Sequence, residues 1–184
     1  MANQLTRYAT VASLLTAGEG SFFGYHVYPM TSANTGEPAA VIDEVRVFQT
    51  VLPFRAVVRQ IVTEVTTLVA AQFYSVGIYR IDGNSLLVHT GAITTASAAV
   101  ISTTVTAVTL EPGVYWFAQT ADTTTTLTMR QVGAVTNSLA FQNAGSEIRS
   151  GTAANSSSSG VLPATLGTIT ASVSRFPVLA LFAP

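Results

Sequence analysis

The chain has 184 residues, 48% of them hydrophobic and only 9% charged, and its net charge at neutral pH is −1. So few charges leave a large neutral surface on any monomer, and such surfaces are commonly covered in repetitive assemblies. The absence of a basic stripe argues against nucleic-acid binding, and the absence of cysteine excludes disulfide frameworks, zinc fingers and thiol nucleophiles.

Residues 1–40 read as an irregular N-terminal arm. Met1 to Arg7 lack a charged stretch followed by an apolar one, so no signal peptide is expected. Leu5, Tyr8, Ala12 and Leu15 recur at near-helical spacing, with Asn3 as a cap and Gly18 as a stop, which predicts one short helix. A glycine-punctuated aromatic cluster follows, with Phe22, Phe23, Tyr25, His26 and Tyr28, and residues 31–40 read as loop.

From Val41 the chain reads as strands. Val45–Val51 alternates; Val57–Leu68 is rich in β-branched residues and reads as one long strand, with a helix as the less favoured alternative because it carries Arg59 and Glu64; and Phe73–Ile81 places Tyr74, Val76 and Ile78 on one face. Asp82-Gly83-Asn84 predicts a hairpin turn, with Ser85–Thr90 as the returning strand. Ile93–Ser102 reads as loop. Thr103–Leu110 has period two, with Val105, Ala107 and Thr109 against Thr104, Thr106, Val108 and Leu110. Glu111-Pro112-Gly113 is a turn into Val114–Thr120, the strongest strand pattern in the chain, and Thr126–Val132 follows. Residues 143–160, centred on Ser156-Ser157-Ser158-Ser159, read as a flexible loop. Ile169–Val173 and Phe176–Phe182 close the chain. The expectation is an all-β protein: a short arm over 1–40, then one antiparallel jelly-roll-like β-sandwich over 41–184.

The candidate chemistry is sparse. His26 and His89 are the only histidines, and neither has partners at metal-ligand spacing. Asp43-Glu44 is the only adjacent acidic pair, and neighbours in a strand point to opposite faces, which does not suit paired-carboxylate catalysis. There is no G-x-S-x-G elbow and no phosphate-binding glycine loop. Asn155-Ser156-Ser157 matches a glycosylation sequon by chance in a serine-rich loop. Trp116, the only tryptophan, lies in an apolar strand and is expected in the core. The eight basic residues are all arginine, which reflects either interface hydrogen bonding or compositional bias. No apolar run approaches the roughly 20 residues of a membrane helix. No cofactor, metal or catalytic set is expected.

The stretch from Val76 to Arg130 resembles a jelly-roll domain of tailed-bacteriophage virion proteins. The resemblance is carried by Val76-Gly77-Ile78-Tyr79-Arg80-Ile81-Asp82-Gly83-Asn84, by Leu86-Leu87-Val88 and by Leu110-Glu111-Pro112-Gly113-Val114-Tyr115-Trp116-Phe117-Ala118, with Phe176–Phe182 as the terminal strand. It spans roughly residues 45–184 and implies a trimer located on the virion and assembled in the host cytoplasm. It fits a capsid cement or decoration protein bound to the major capsid protein, or alternatively a tail-fibre or baseplate receptor- or carbohydrate-binding module. Leu5, Tyr8, Phe22, Phe23, Tyr25, His26 and Tyr28 are the candidate partner interface. Aromatic side chains in a glycine-rich arm either fold back on the sandwich or anchor in a neighbouring subunit.

Overall fold

A computed structural model describes residues 22–23, 33–36, 38, 41–52, 54–123, 126–132, 143, 146–172, 178 and 180–183. Within them the chain forms only strands and connections. In chain order these are β1 (Phe22–Phe23), β2 (Ala33–Gly36), β3 (Arg46–Leu52), β4 (Ala56–Thr67), β5 (Phe73–Arg80), β6 (Leu86–His89) and β7 (Ile93–Thr94). They continue with β8 (Val100–Leu110), β9 (Gly113–Ala121), β10 (Thr128–Val132), β11 (Ser150–Ala153), β12 (Ile169–Ala171) and β13 (Ala180–Ala183). The helix expected around Leu5–Leu15 lies outside the described residues.

The strands form two antiparallel sheets packed as a sandwich. In one, β4 is the organising strand: β8 lies on one side, and β13 and β10 share the other, continuing to β1 and β2 respectively. The second runs β12-β11-β3-β9-β5-β6, with β7 also on β5. Two pieces of the segment read as an irregular arm are therefore strands of the first sheet. Phe22–Phe23 pairs with Leu181–Phe182, and Ala33–Gly36 pairs with Met129–Val132.

β5 and β9 follow their sequence patterns closely. Tyr74, Val76 and Ile78 point into the space between the sheets with Phe48, Leu52, Phe117 and Ala121, against Val58, Ile61, Val65, Leu110 and Met129 of the other sheet. The expected hairpin turn is present, with Gly83 and Asn84 at positive φ (69° and 51°), the region that glycine and asparagine enter most readily.

The β8 expectation needs two corrections. The strand begins at Val100, and Ile93–Thr94 forms β7 on β5, so neither Val100–Ser102 nor Ile93–Thr94 is loop. Its faces also do not follow one alternation. The β4–β8 ladder is interrupted between the Val58–Val108 and Gln60–Thr104 pairs. Thr106 and Ala107 are both exposed there, as are Arg59 and Gln60 opposite. This bulge resets the pleat, so Val105 and Val108, which simple alternation puts on opposite faces, both pack on the inner core.

The larger correction concerns residues 143–160. They contain β11, and the connection that follows it packs down on the outer face of the second sheet. There Leu162, Leu166 and Ile169 form a second apolar core with Val45, Val47, Tyr79, Trp116 and Ala118. Small polar composition suggested mobility, yet Asn143, Ser150, Asn155 and Ser157 all make side-chain hydrogen bonds, and further bonds anchor the connection beyond them. Tyr79 Oη donates to Pro163 O (2.6 Å), Trp116 Nε1 to Asn84 Oδ1 (3.0 Å) and Asn84 Nδ2 to Gly167 O (3.0 Å). Glycine is needed where the connection comes closest: a Cβ on Gly77 would lie 2.7 Å from Val88 O and 2.9 Å from Leu162 Cδ1.

Leu166 is fully buried in this outer core. Leu166→Ala is therefore expected to cost about 2–5 kcal/mol, the range for a truncated core leucine. Chemical denaturation followed by Trp116 fluorescence checks it; a loss below about 0.5 kcal/mol, the size of an ordinary surface substitution, would show that the connection is not core.

Candidate assembly surfaces

The buried polar side chains hold segments together. Asp43, in a turn at φ 59°, sits at the start of β3. Its Oδ1 accepts from Ser157 Oγ (2.7 Å) and Gly160 N (3.2 Å), and Ser157 N donates to Asp43 O (2.9 Å). With its single proton given to the carboxylate, Ser157 Oγ accepts from Thr120 Oγ1 at 2.7 Å. The centre of the serine run is thus a clip joining the start of β3, the end of β9 and the outer connection. The neighbouring carboxylate does something else: Glu44 Oε2 accepts from Arg46 Nη2 at 2.6 Å, in a largely buried ion pair. The two acidic groups are used separately, but not through strand alternation: Asp43 lies in a turn and both residues precede β3.

Two further groups span the inner core. Thr63 of β4 and Tyr74 of β5 share a hydroxyl–hydroxyl bond of 2.7 Å. Burial pushes the Tyr74 phenol up, and the Thr63 bond partly offsets this. Burial also pushes the Tyr79 phenol well above its ordinary value. Gln119 of β9 is fully buried; its Nε2 donates to Pro38 O (3.2 Å) and its Oε1 accepts from Val178 N (2.6 Å). Val178 bridges to Gln131 of β10, so one amide links the second sheet to two segments associated with the first. Sequence reading passed over Gln119; the available signal was a glutamine at an inward position of the strongest strand.

On the outside of the first sheet, Arg130 donates to both carboxylate oxygens of Glu64 through two guanidinium nitrogens (Nε–Oε2 3.0 Å, Nη2–Oε1 2.7 Å). The guanidinium hydrogen bond holds the Glu64 carboxyl below the usual carboxylate range. His89, at the end of β6, accepts from Gly91 N at 3.3 Å through Nδ1, and partial burial draws its imidazole below the usual histidine value. Among the described residues no cluster of three or more histidine, cysteine or acidic side chains could hold a metal ion, and no helix is long and apolar enough to cross a membrane.

The exposed surface presents a different set of side chains. Val100 is 67% exposed, Val41 58% and Ile42 56%, and Leu68, Ile81, Val51 and Val114 are also exposed. The last two are cross-strand partners on the outer face of the second sheet. Of the expected interface residues, Phe22 and Phe23 have a described backbone, paired with Phe182 and Leu181. Leu5, Tyr8, Tyr25, His26 and Tyr28 lie outside the described residues. Trp116 is buried as expected. Compared with models of known protein families, with curated proteins and with solved structures, the chain matches none.

Replacing Gln119 with leucine removes an acceptor from a buried amide and a donor from a buried carbonyl. The Gln119→Leu protein should lose about 1–3 kcal/mol for each group left unsatisfied, measured as a lower denaturant midpoint. A gain in stability would contradict the tie described for it. For His89 the pH dependence has a definite sign. The folded state holds the imidazole below its unfolded value near 6.5, so this contribution is fully present above that pH and is lost as pH falls from there through the folded value. In melting curves between pH 8 and pH 5, His89→Gln should flatten the acidic decline relative to wild type.

Proposed function

We propose that this chain is a non-enzymatic structural protein of a tailed-bacteriophage virion. In this reading it is a cement or decoration protein that forms homotrimers, binds the major capsid protein and stabilises the head from the capsid surface. The observation that carries the proposal is the division of labour among side chains. Asp43, Ser157, Thr120 and Gln119, the polar groups with chemistry to offer, hold loops and sheets in place. Exposed Val41, Ile42, Leu68 and Val100 instead offer apolar area without charge. A surface of that kind stabilises an assembly through the area it buries, and many equivalent copies multiply a modest contact.

The virion-protein resemblance adds support of a second kind. The residues that carry it, Val76–Asn84, Leu86–Val88 and Leu110–Ala118, supply β5, the hairpin, β6 and β9, the frame of the second sheet. The frame leaves the exterior to be specialised, and here the exterior is neutral.

Electron microscopy of virions with gold-labelled antibody against this protein tests the proposal. Label at regular lattice points over the head is the expected result. Label confined to the tail or its fibres would overturn the cement reading and favour a receptor- or carbohydrate-binding module. Absence of label from purified virions would overturn both.

A further inference from the structure

We propose that the free edge of β8, over Val100–Thr104, pairs antiparallel with the same segment of a second copy of this chain, joining the two first sheets across a twofold axis. The backbone bonding pattern defines which groups are available. Val65 N donates to Ala99 O at 2.9 Å, so residues 65 and 99 form a hydrogen-bonded pair of the ladder that continues as Thr63–Ile101 and Ile61–Thr103. Alternate residues of an antiparallel strand turn their backbone groups to opposite edges. The N–H and C=O of Val100, Ser102 and Thr104 therefore face away from β4, and among the described residues no strand pairs with that edge.

Proteins ordinarily protect such an edge with charge, proline or a bulge. Val100–Leu110 contains no charged residue and no proline. The bulge comes only after Thr104, so it turns the later part of β8 aside and leaves the first part straight. An unpaired strand edge selects an extended backbone as its partner, and two features select a second copy. A twofold centred on Ser102 sets Val100 opposite Thr104 and Ile101 opposite Thr103. Side chains that face out then meet others that face out, those that face the core meet their like, and no charge meets a like charge. The same register places the partner's Thr104 against Val100, the most exposed large apolar side chain among the described residues. This contact is distinct from whatever surface builds a trimer, and it holds whether or not the protein sits on a capsid.

Two variants of the full chain test it. In Ser102→Pro the lost N–H is one that β4 does not use, and proline is tolerated where a strand N–H faces outward. Within the chain the variant gives up only the exposed Ser102 Oγ–Gln60 Oε1 bond (3.3 Å), so its unfolding midpoint should stay close to the wild-type value while it sediments at a lower mass. In Ser102→Cys the two thiols of a pair meet across the axis, where opposed backbones lie about 5.5 Å apart, within disulfide reach. The chain has no other cysteine, so mild oxidation should give a covalent dimer on non-reducing denaturing gels. It should form at least tenfold faster than with Thr170→Cys on the exposed edge strand β12. Equal cross-linking rates for the two cysteine variants, or a wild-type protein that sediments as a monomer, would overturn the proposal. A wild type that sediments as a trimer while virion label still decorates the head would overturn this pairing alone.

Discussion

Trp116 and Phe117 are consecutive residues of β9, and each is buried in a different core. A strand whose successive side chains are both large and apolar cannot lie on a sheet with one wet face, because alternation sends every second residue outward. Here β3, β5 and β9 share that condition, through Val47 with Phe48 and Ile78 with Tyr79. The second sheet must therefore be covered twice. The first sheet supplies one cover. The other comes from the connection between β11 and β12, which has little regular structure of its own and must still satisfy its backbone over an apolar face. That requirement accounts for the hydrogen bonds from Tyr79, Asn84 and Asn155 that reach into it or hold it together.

Apolar packing between two sheets is permissive about how they are rotated or slid relative to each other. The inner core contains two polar contacts that are not. The Thr63–Tyr74 bond joins the middle of β4 to β5, and Gln119 takes one donor and one acceptor from segments on the first-sheet side. A displacement of the sheets would leave these groups unsatisfied in a low-dielectric interior, where the cost is highest. Their main effect is to select one alignment of the sandwich, beyond any net stability they add.

What the sequence revealed follows from which physical signals are local. β4, β5, the Gly83-Asn84 turn and β9 are legible because β-branched periodicity and turn chemistry depend on neighbours in the chain. The faces of β8 are not, since the shift that puts Val105 and Val108 on one side arises from the pairing with β4, about fifty residues earlier. Ser157 misleads for a related reason. Its composition signals a loop correctly, but its burial depends on Asp43 and Thr120, both distant in the chain. The neutral exterior was readable as a total and not as a place. That Val100–Thr104 is an edge emerges only from the order of strands.

The outer cover also bears on how the chain is made. Val47, Tyr79 and Trp116 leave the ribosome well before Leu162, Leu166 and Ile169, the residues that shelter them. Until those last residues appear, the growing polypeptide carries a formed or forming sheet with one greasy side open, at the local concentrations where sticky intermediates find one another. Completion therefore waits for that later segment, and pairings between such distant parts of the chain make it slow. The yield of folded protein would depend on how quickly the segment carrying Leu162, Leu166 and Ile169 closes over that side, and on whether a chaperone holds it meanwhile.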